Sequence, residues 1–391
     1  MINRPCIVVP GIQGSILQNF YPIDPVITWS TMVIAESKVV ALDFNTLALS
    51  DDGRADRTSS VVSRPAALIE LAYGPLVSGL QGRSGIPAYL FAYDWRYSIM
   101  ESARALVRFV EFLQLKSIPE IKSWNGDFDF ACHSMGGLVL RAFLAEWKRI
   151  NPTRALPIGK VAFIATPHKG SLDAASALIT GESPLFGGQK AMRKLARTFP
   201  SVYELLPLPG NGVMWAERNS VEIDLFQLSN WQQNTTPAVP APGGYDVEQR
   251  HLDDARTVLR SLPMPTDQAY NLAPQNLLVV YGAKQNSTLE TVVVGDPPGN
   301  WYDFDNARKG IGDDVVPVGS AKLPGVTAVE IRPEDMSYLF HPIQRAYADA
   351  DMHAFLPALD EVQTIVSSFF AGASGSDLLP LNLKRSGGRL S

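Results

Sequence analysis

Cysteine is scarce in this chain, with two among 391 residues. That excludes a disulfide framework. Cys6, in an apolar run, and Cys132 read as small buried residues of a reducing compartment. Histidine is nearly as rare, five in all, which shortens any search for a proton-transfer group. Excess positive charge is also missing: 34 Lys and Arg stand against 39 Asp and Glu, for a net charge of −5. Without a basic footprint, nucleic acid is excluded as a partner. No apolar run reaches the roughly 18 residues of a membrane span. Met1 to Pro5 leads straight into Cys6-Ile7-Val8-Val9, too short for the apolar core of an export signal, so the expected location is cytoplasmic. What the chain does have is 46% apolar residues, enough for a large core.

Those residues alternate between short apolar runs and helical patterns. Strands are expected at Ile7 to Pro10, Pro87 to Ala92, Phe128 to Cys132, Lys160 to Ala165, Leu277 to Tyr281 and Thr327 to Ile331. Helices are expected at Ser102 to Leu115, Gly136 to Trp147 and Leu359 to Phe370, where apolar residues recur on one face. Near-continuous apolar strands separated by helices indicate an α/β fold with a mostly parallel central sheet covered on both faces. Residues 171–275 break the pattern and are too long for a connection. They read as an inserted cap, with a smaller insertion at about 20–80. The core is then 1–170 and 276–371, and 372–391 read as a loose, flexible tail.

The segment Ala131-Cys132-His133-Ser134-Met135-Gly136-Gly137 carries the chemistry. A serine between a strand and a helix, ringed by small residues, has the pattern of a nucleophile elbow, and the helix N-terminus favours developing negative charge. Cys132 occupies the usual first glycine position, where a small side chain is needed. It remains a second candidate nucleophile. In this architecture an acid and then a histidine follow the serine. Gly312-Asp313-Asp314-Val315-Val316-Pro317 supplies the acid, and the Asp-x-x-Val-Pro spacing selects Asp313 over Asp314. Of the histidines, His133 is expected to point away from the elbow, His168 to shape a loop, and His251 to lie in the cap. His353, just before the closing helix, is preferred as the base, and His341 stays open. The loop Gly11-Ile12-Gln13-Gly14-Ser15 ends the first strand. It is the expected source of one oxyanion donor, the backbone N–H of Gln13, with Met135 giving the other. The lysine of a phosphate-binding loop and the dinucleotide glycine pattern are both missing, and no cluster has metal-ligand spacing, so no cofactor and no metal are expected.

Several segments together resemble the lecithin:cholesterol acyltransferase family of α/β-hydrolases. They are Pro10 to Ser15, Tyr93-Asp94-Trp95-Arg96, His133 to Gly137, Thr166-Pro167-His168-Lys169-Gly170, Phe199 to Pro207, and Gly312 to Pro317. The resemblance implies an α/β-hydrolase fold with an inserted lid and a membrane-facing domain, and cleavage of a lipid acyl ester through a serine acyl-enzyme. It implies Ser134 as nucleophile, Asp313 as acid and His353 as base, with Trp95 packing the pocket floor and Arg96 an internal ionic anchor. The family's secreted animal members carry a disulfide in the first insertion, and this chain has no cysteine pair there. The expected function is therefore a serine-dependent carboxylic ester hydrolase, lipase- or phospholipase-like, with a hydrophobic acyl ester as substrate. Acyl transfer to an alcohol shares every residue up to the acyl-enzyme and stays open, as does a non-catalytic interaction protein on this scaffold. A transient lipid surface as partner, and the oligomeric state, are left open too.

Overall fold

A computed structural model describes residues 4–20, 23–24, 26–29, 47–49, 63–85, 87–116, 124–181, 192–235, 246–335, 351–380, 383–384 and 390. From the N-terminus, β1 (Cys6–Val9) is buried at every position. Next come β2 (Ser15–Asn19), β3 (Val26–Trp29) and β4 (Ser63–Leu68), a small antiparallel sheet in the order β3-β2-β4. Helix α1 (Glu70–Ser84), β5 (Ala88–Leu90), α2 (Ile99–Gln114), β6 (Phe128–His133), α3 (Met135–Ile150) and β7 (Ile158–Ile164) follow. The cap region contributes α4 (Asp173–Ile179), β8 (Trp215–Arg218), β9 (Val221–Ile223) and α5 (Gln249–Ser261). The chain closes through β10 (Leu277–Gly282), β11 (Lys284–Val294), β12 (Tyr302–Gly312), β13 (Thr327–Ile331) and α6 (Asp360–Phe370).

The central sheet has six strands in the order β13-β10-β7-β6-β1-β5, every pair parallel. Strand side chains alternate between faces, and the core divides accordingly. Ile7 and Val9 join the cluster under α2 and α3, whereas Cys6 and Val8 join the cluster under α1 and α6. Helix α2 forms because Ser98 caps it, its hydroxyl accepting from Met100 N–H. The helix buries Ile99, Ala103, Leu106, Val107, Val110 and Leu113 on one stripe. No helix among the described residues is long and apolar enough to cross a membrane.

Three regions differ from the sequence expectation. Residues 70–80, assigned above to the first insertion, lie in α1, which packs on α6 as part of the core. Residues 284–312, assigned to the core, leave the central sheet as the β11–β12 hairpin and join the cap strands in a four-stranded sheet ordered β12-β11-β8-β9. The expected loose tail is partly docked: Leu378, Leu379 and Leu383 are buried and Leu390 bridges Val329. Burying such leucines contributes about 1.5–3 kcal/mol each toward holding the segment against the core.

Candidate active site

β6 is buried throughout and stops at Ser134, whose backbone adopts φ 51° and ψ −128° before α3 begins. Positive φ is costly for a serine. It is held here by the Ser134 N–H donating to Ile164 O at 2.8 Å and by the close seating of α3. A Cβ on Gly136 would collide with the carbonyl oxygens of Val9 and Pro10, and one on Gly137 with Thr166. The two glycines let the helix N-terminus press against the strand ends, so the Ser134 hydroxyl stands at the C-terminal edge of the sheet. Cys132 is fully buried, and burial pushes its thiol well above the usual range. A thiol without thiolate character is a poor nucleophile.

His353 lies in a short helix, Met352–Phe355, capped by the Asp351 carboxylate accepting from Ala354 N–H. Its Nε2 is 2.8 Å from Ser134 Oγ and its Nδ1 is 2.8 Å from Asp313 Oδ2. Asp313 follows β12 and accepts from the N–H groups of Val315 at 3.2 Å and Val316 at 2.7 Å through Oδ1. Asp314, at φ 81°, turns the other way. It pairs with Lys284 Nζ at 2.9 Å and accepts from Met352 N–H at 3.0 Å, so it holds the backbone of the histidine turn. Ser134, Asp313 and His353 are 3%, 1% and 5% exposed. Burial would lower the His353 pKa, but the charge and hydrogen bond of Asp313, with the charges of Asp351 and Asp173, outweigh burial and move it upward. His341 lies outside the described residues.

The loop after β1 faces this group. A Cβ on Gly11 would sit 2.8 Å from Ser134 Cβ, so only glycine allows the loop this near. Gln13 adopts φ 62°, its carbonyl accepts from Trp29 Nε1, and its side-chain Nε2 has no hydrogen-bond partner among the described residues. The N–H groups of Gln13 and Met135 make no hydrogen bond among the described residues. Trp95 is fully buried, donates to Ser15 O, and packs edge-on against Trp29 and Phe199, with ring centroids 5.0 and 5.4 Å away. Arg96 forms a two-point pair with Asp94 at 2.9 and 2.7 Å and donates to Leu47 O. Trp95 thus ties the Tyr93–Arg96 loop to Ser15, and Arg96 ties it to Leu47.

His133 differs from expectation. It does not point away from the site: its ring lies between Tyr73 and His353, with centroids 5.7 and 5.1 Å distant. A strand ending beside the elbow turns its last side chain toward α1, a helix whose position could not be foreseen. His168 packs on Phe163, and its carbonyl accepts from Arg141. His251 packs on Tyr203.

Asp173, in the first turn of α4, was not singled out from sequence. It is buried, and its carboxyl is pushed up to about 8, chiefly by burial; the neighbouring His353 charge lowers it and Asp313 raises it. Geometry agrees with a neutral acid. Ser171 Oγ lies 2.6 Å from Val315 O and 3.4 Å from Asp173 Oδ2. The hydroxyl has one proton, and the Val315 carbonyl can only accept it. The contact with Asp173 is then a hydrogen bond when the carboxyl supplies the proton. A buried acid in a connecting stretch has no motif, so no sequence signal marked it. Among the described residues, no group of three or more His, Cys, Asp or Glu could hold a metal ion.

The parallel sheet, the strand–serine–helix elbow and the late histidine define the α/β-hydrolase fold. Residues 87–240 match the family model described as lecithin:cholesterol acyltransferase. That stretch includes the Tyr93–Arg96, Ser134, Thr166–Gly170 and Phe199–Pro207 segments. No curated protein matches the chain. Among solved structures, a chain in the crystal structure of the Tle4-Tli4 complex is similar over 95% of this chain and 99% of its own, at 15% identity and TM-score 0.57. The Bacillus licheniformis lipase BlEst2 in mature form aligns over 85% of this chain and 84% of its own, at 12% identity and TM-score 0.38. EstA from Clostridium botulinum aligns over 84% and 81%, at 14% identity and TM-score 0.31.

Proposed function

We propose that this protein is a serine-dependent carboxylic ester hydrolase, lipase- or phospholipase-like, acting on a hydrophobic acyl ester. The observation that carries the reading is the unbroken chain of two 2.8 Å hydrogen bonds from Ser134 Oγ through His353 to Asp313. Ser134 Oγ attacks the acyl carbonyl carbon while its proton passes to His353 Nε2. Asp313 holds Nδ1–H and stabilises the imidazolium. The N–H groups of Gln13 and Met135 receive the oxyanion. His353 then protonates the departing alcohol, leaving an acyl-enzyme on Ser134. Attack by water, deprotonated by His353, releases the acid and restores Ser134.

Residues 171–275 act as the cap over this face, and a lipid surface is a fitting transient partner. The two buried free cysteines fit a reducing, cytoplasmic setting. The family-model match over residues 87–240 favours a second reading in which an alcohol replaces water at the last step. The test is covalent labelling by a fluorophosphonate, read by intact mass, alongside turnover of acyl esters of increasing length with and without an added alcohol. Wild type should label once, and folded Ser134→Ala should neither label nor turn over. Labelling that survives in Ser134→Ala would sink the reading. Ester product formed with the added alcohol would select acyl transfer.

A further inference from the structure

Behind Ser134 runs a second buried chain of hydrogen bonds that the proposed reaction does not itself use. Gly11 N–H donates to Tyr73 Oη at 2.9 Å. Tyr73 Oη lies 2.8 Å from His133 Nδ1, and His133 Nε2 lies 3.0 Å from the backbone carbonyl of His353. With a neutral His133, one set of proton positions satisfies all three contacts. The His353 carbonyl can only accept, so His133 carries its proton on Nε2. The neutral ring then offers Nδ1 as an acceptor, so the tyrosine hydroxyl donates to it. The tyrosine oxygen in turn accepts from Gly11. All donors point one way, from the loop after β1 to the turn that carries the base.

Burial holds both side chains in these states. The Tyr73 phenol is pushed upward by burial, and His133 is lowered well below the usual histidine value, first by burial and then by the His353 charge. The loop is shaped for the arrangement. A Cβ on Gly14 would stand 2.7 Å from Tyr73 Oη, and one on Gly11 would meet Ser134. One glycine of the pair therefore makes room for the nucleophile and the other for the tyrosine hydroxyl.

We propose that Tyr73 and His133 are positioning residues that set the oxyanion loop and the base turn as one unit around Ser134. The inference rests on the ester-hydrolase reading. The chain ties together four segments remote in sequence: the loop at Gly11, α1, the end of β6 and the Met352–Phe355 turn. Neither side chain touches a substrate atom in this scheme. Their effect is on where Gln13 N–H and His353 Nε2 stand when charge develops. Loss of the relay therefore falls on kcat rather than on KM.

The experiment compares wild type, Tyr73→Phe, His133→Leu, His133→Gln and Ser134→Ala on a short soluble ester, with thermal melts run on each. Gln at 133 retains an N–H that can reach the His353 carbonyl; Leu does not. Tyr73→Phe and His133→Leu should lose about 10²-fold in kcat with KM within about threefold of wild type. His133→Gln should recover about tenfold over His133→Leu. A merely structural role would lower the melting temperature of both position-133 variants without that rescue. A folded Tyr73→Phe with kcat within about threefold of wild type, or no difference between Gln and Leu at 133, overturns the relay. If Tyr73→Phe does not fold, the pair at 133 decides alone. Undiminished turnover in Ser134→Ala would instead overturn the serine reading on which the relay rests.

Discussion

Replacing Asp173 by Asn should stabilise the protein, and by an amount that grows with pH. The carboxyl is buried, and its pKa rises from 3.8 unfolded to about 8 in the fold. Between those values the folded chain holds a proton that the unfolded chain has released. Stability from this group is therefore fully present below pH 3.8 and is lost as pH rises toward 8. At pH 7 the unfolded carboxyl sits about three pH units above its own pKa. At about 1.4 kcal/mol per unit, keeping it neutral in the fold costs about 4 kcal/mol. Asn has nearly the shape of the neutral acid and an N–H to offer Ser171 Oγ, yet has no charge to lose. Urea unfolding of wild type and Asp173→Asn from about pH 5 to about pH 8 measures the difference. Asp129 and Glu204, whose carboxyls are also raised by burial, to about 6 and about 7, give wild type a similar slope. They are common to both proteins and cancel. A stability difference that stays flat with pH would refute the reasoning, as would an Asn variant less stable than wild type at pH 7.

Asp313→Asn should lower kcat by about 10⁴-fold by favouring the wrong His353 tautomer, seen in steady-state kinetics with little change in KM. In wild type, kcat/KM should fall as pH drops through a value above 6.5, because neutral His353 is the active base and Asp313 moves its pKa upward. In Asp313→Asn that limb should move to lower pH, since burial then acts on His353 without the largest opposing charge. Gly11→Ala forces its Cβ to within 2.8 Å of Ser134 Cβ. It should cost about 1–3 kcal/mol in unfolding free energy, and fluorophosphonate labelling should slow even where the variant folds.

The parts of the molecule with strong local pattern were readable from sequence. Thr327–Ile331 is a strand as expected, and Phe128–His133 extends the expected strand by one residue. Helix α2 begins at Ile99 rather than Ser102 because Ser98, not an apolar residue, sets its start. The elbow serine, the Asp-x-x-Val-Pro aspartate and the late histidine were selected by order and spacing, and the folded chain brings those three side chains into hydrogen-bond contact. Helix α1 was unreadable because Gly74, Pro75, Gly79 and Gly82 all argue against a helix. It forms because α6 receives it, with Gly79 seated against Gln363. With α1 went Tyr73, and with Tyr73 the role of His133. The β11–β12 hairpin was missed for another reason. Its residues from Asp303 to Lys309 are polar apart from Phe304 and Ala307, so they resemble a loop until the cap strand β8 pairs with β11.

The arrangement also bears on where hydrolysis and acyl transfer part. The turn carrying His353 is held from three directions: by Asp314 at Met352 N–H, by Asp351 at Ala354 N–H, and by His133 at the His353 carbonyl. Ser134 is held by Ile164 and by the two glycines that seat α3. Asp313 is held by the amides of its own loop. These restraints come from the central sheet, the start of α3, the loop after β12 and the turn's own Asp351. One further restraint comes from the 171–275 stretch: Ser171 Oγ donates to the Val315 carbonyl of the acid loop at 2.6 Å. The choice between water and an alcohol at the next step depends on what shares the space above Ser134. Under the proposed reading that space is covered by residues 171–275, in which Asp173 N–H donates to Ser171 Oγ. Changes in that stretch away from Ser171 and Asp173 are then expected to alter the acyl acceptor more than acyl-enzyme formation, whereas changes in the relay act on both steps alike.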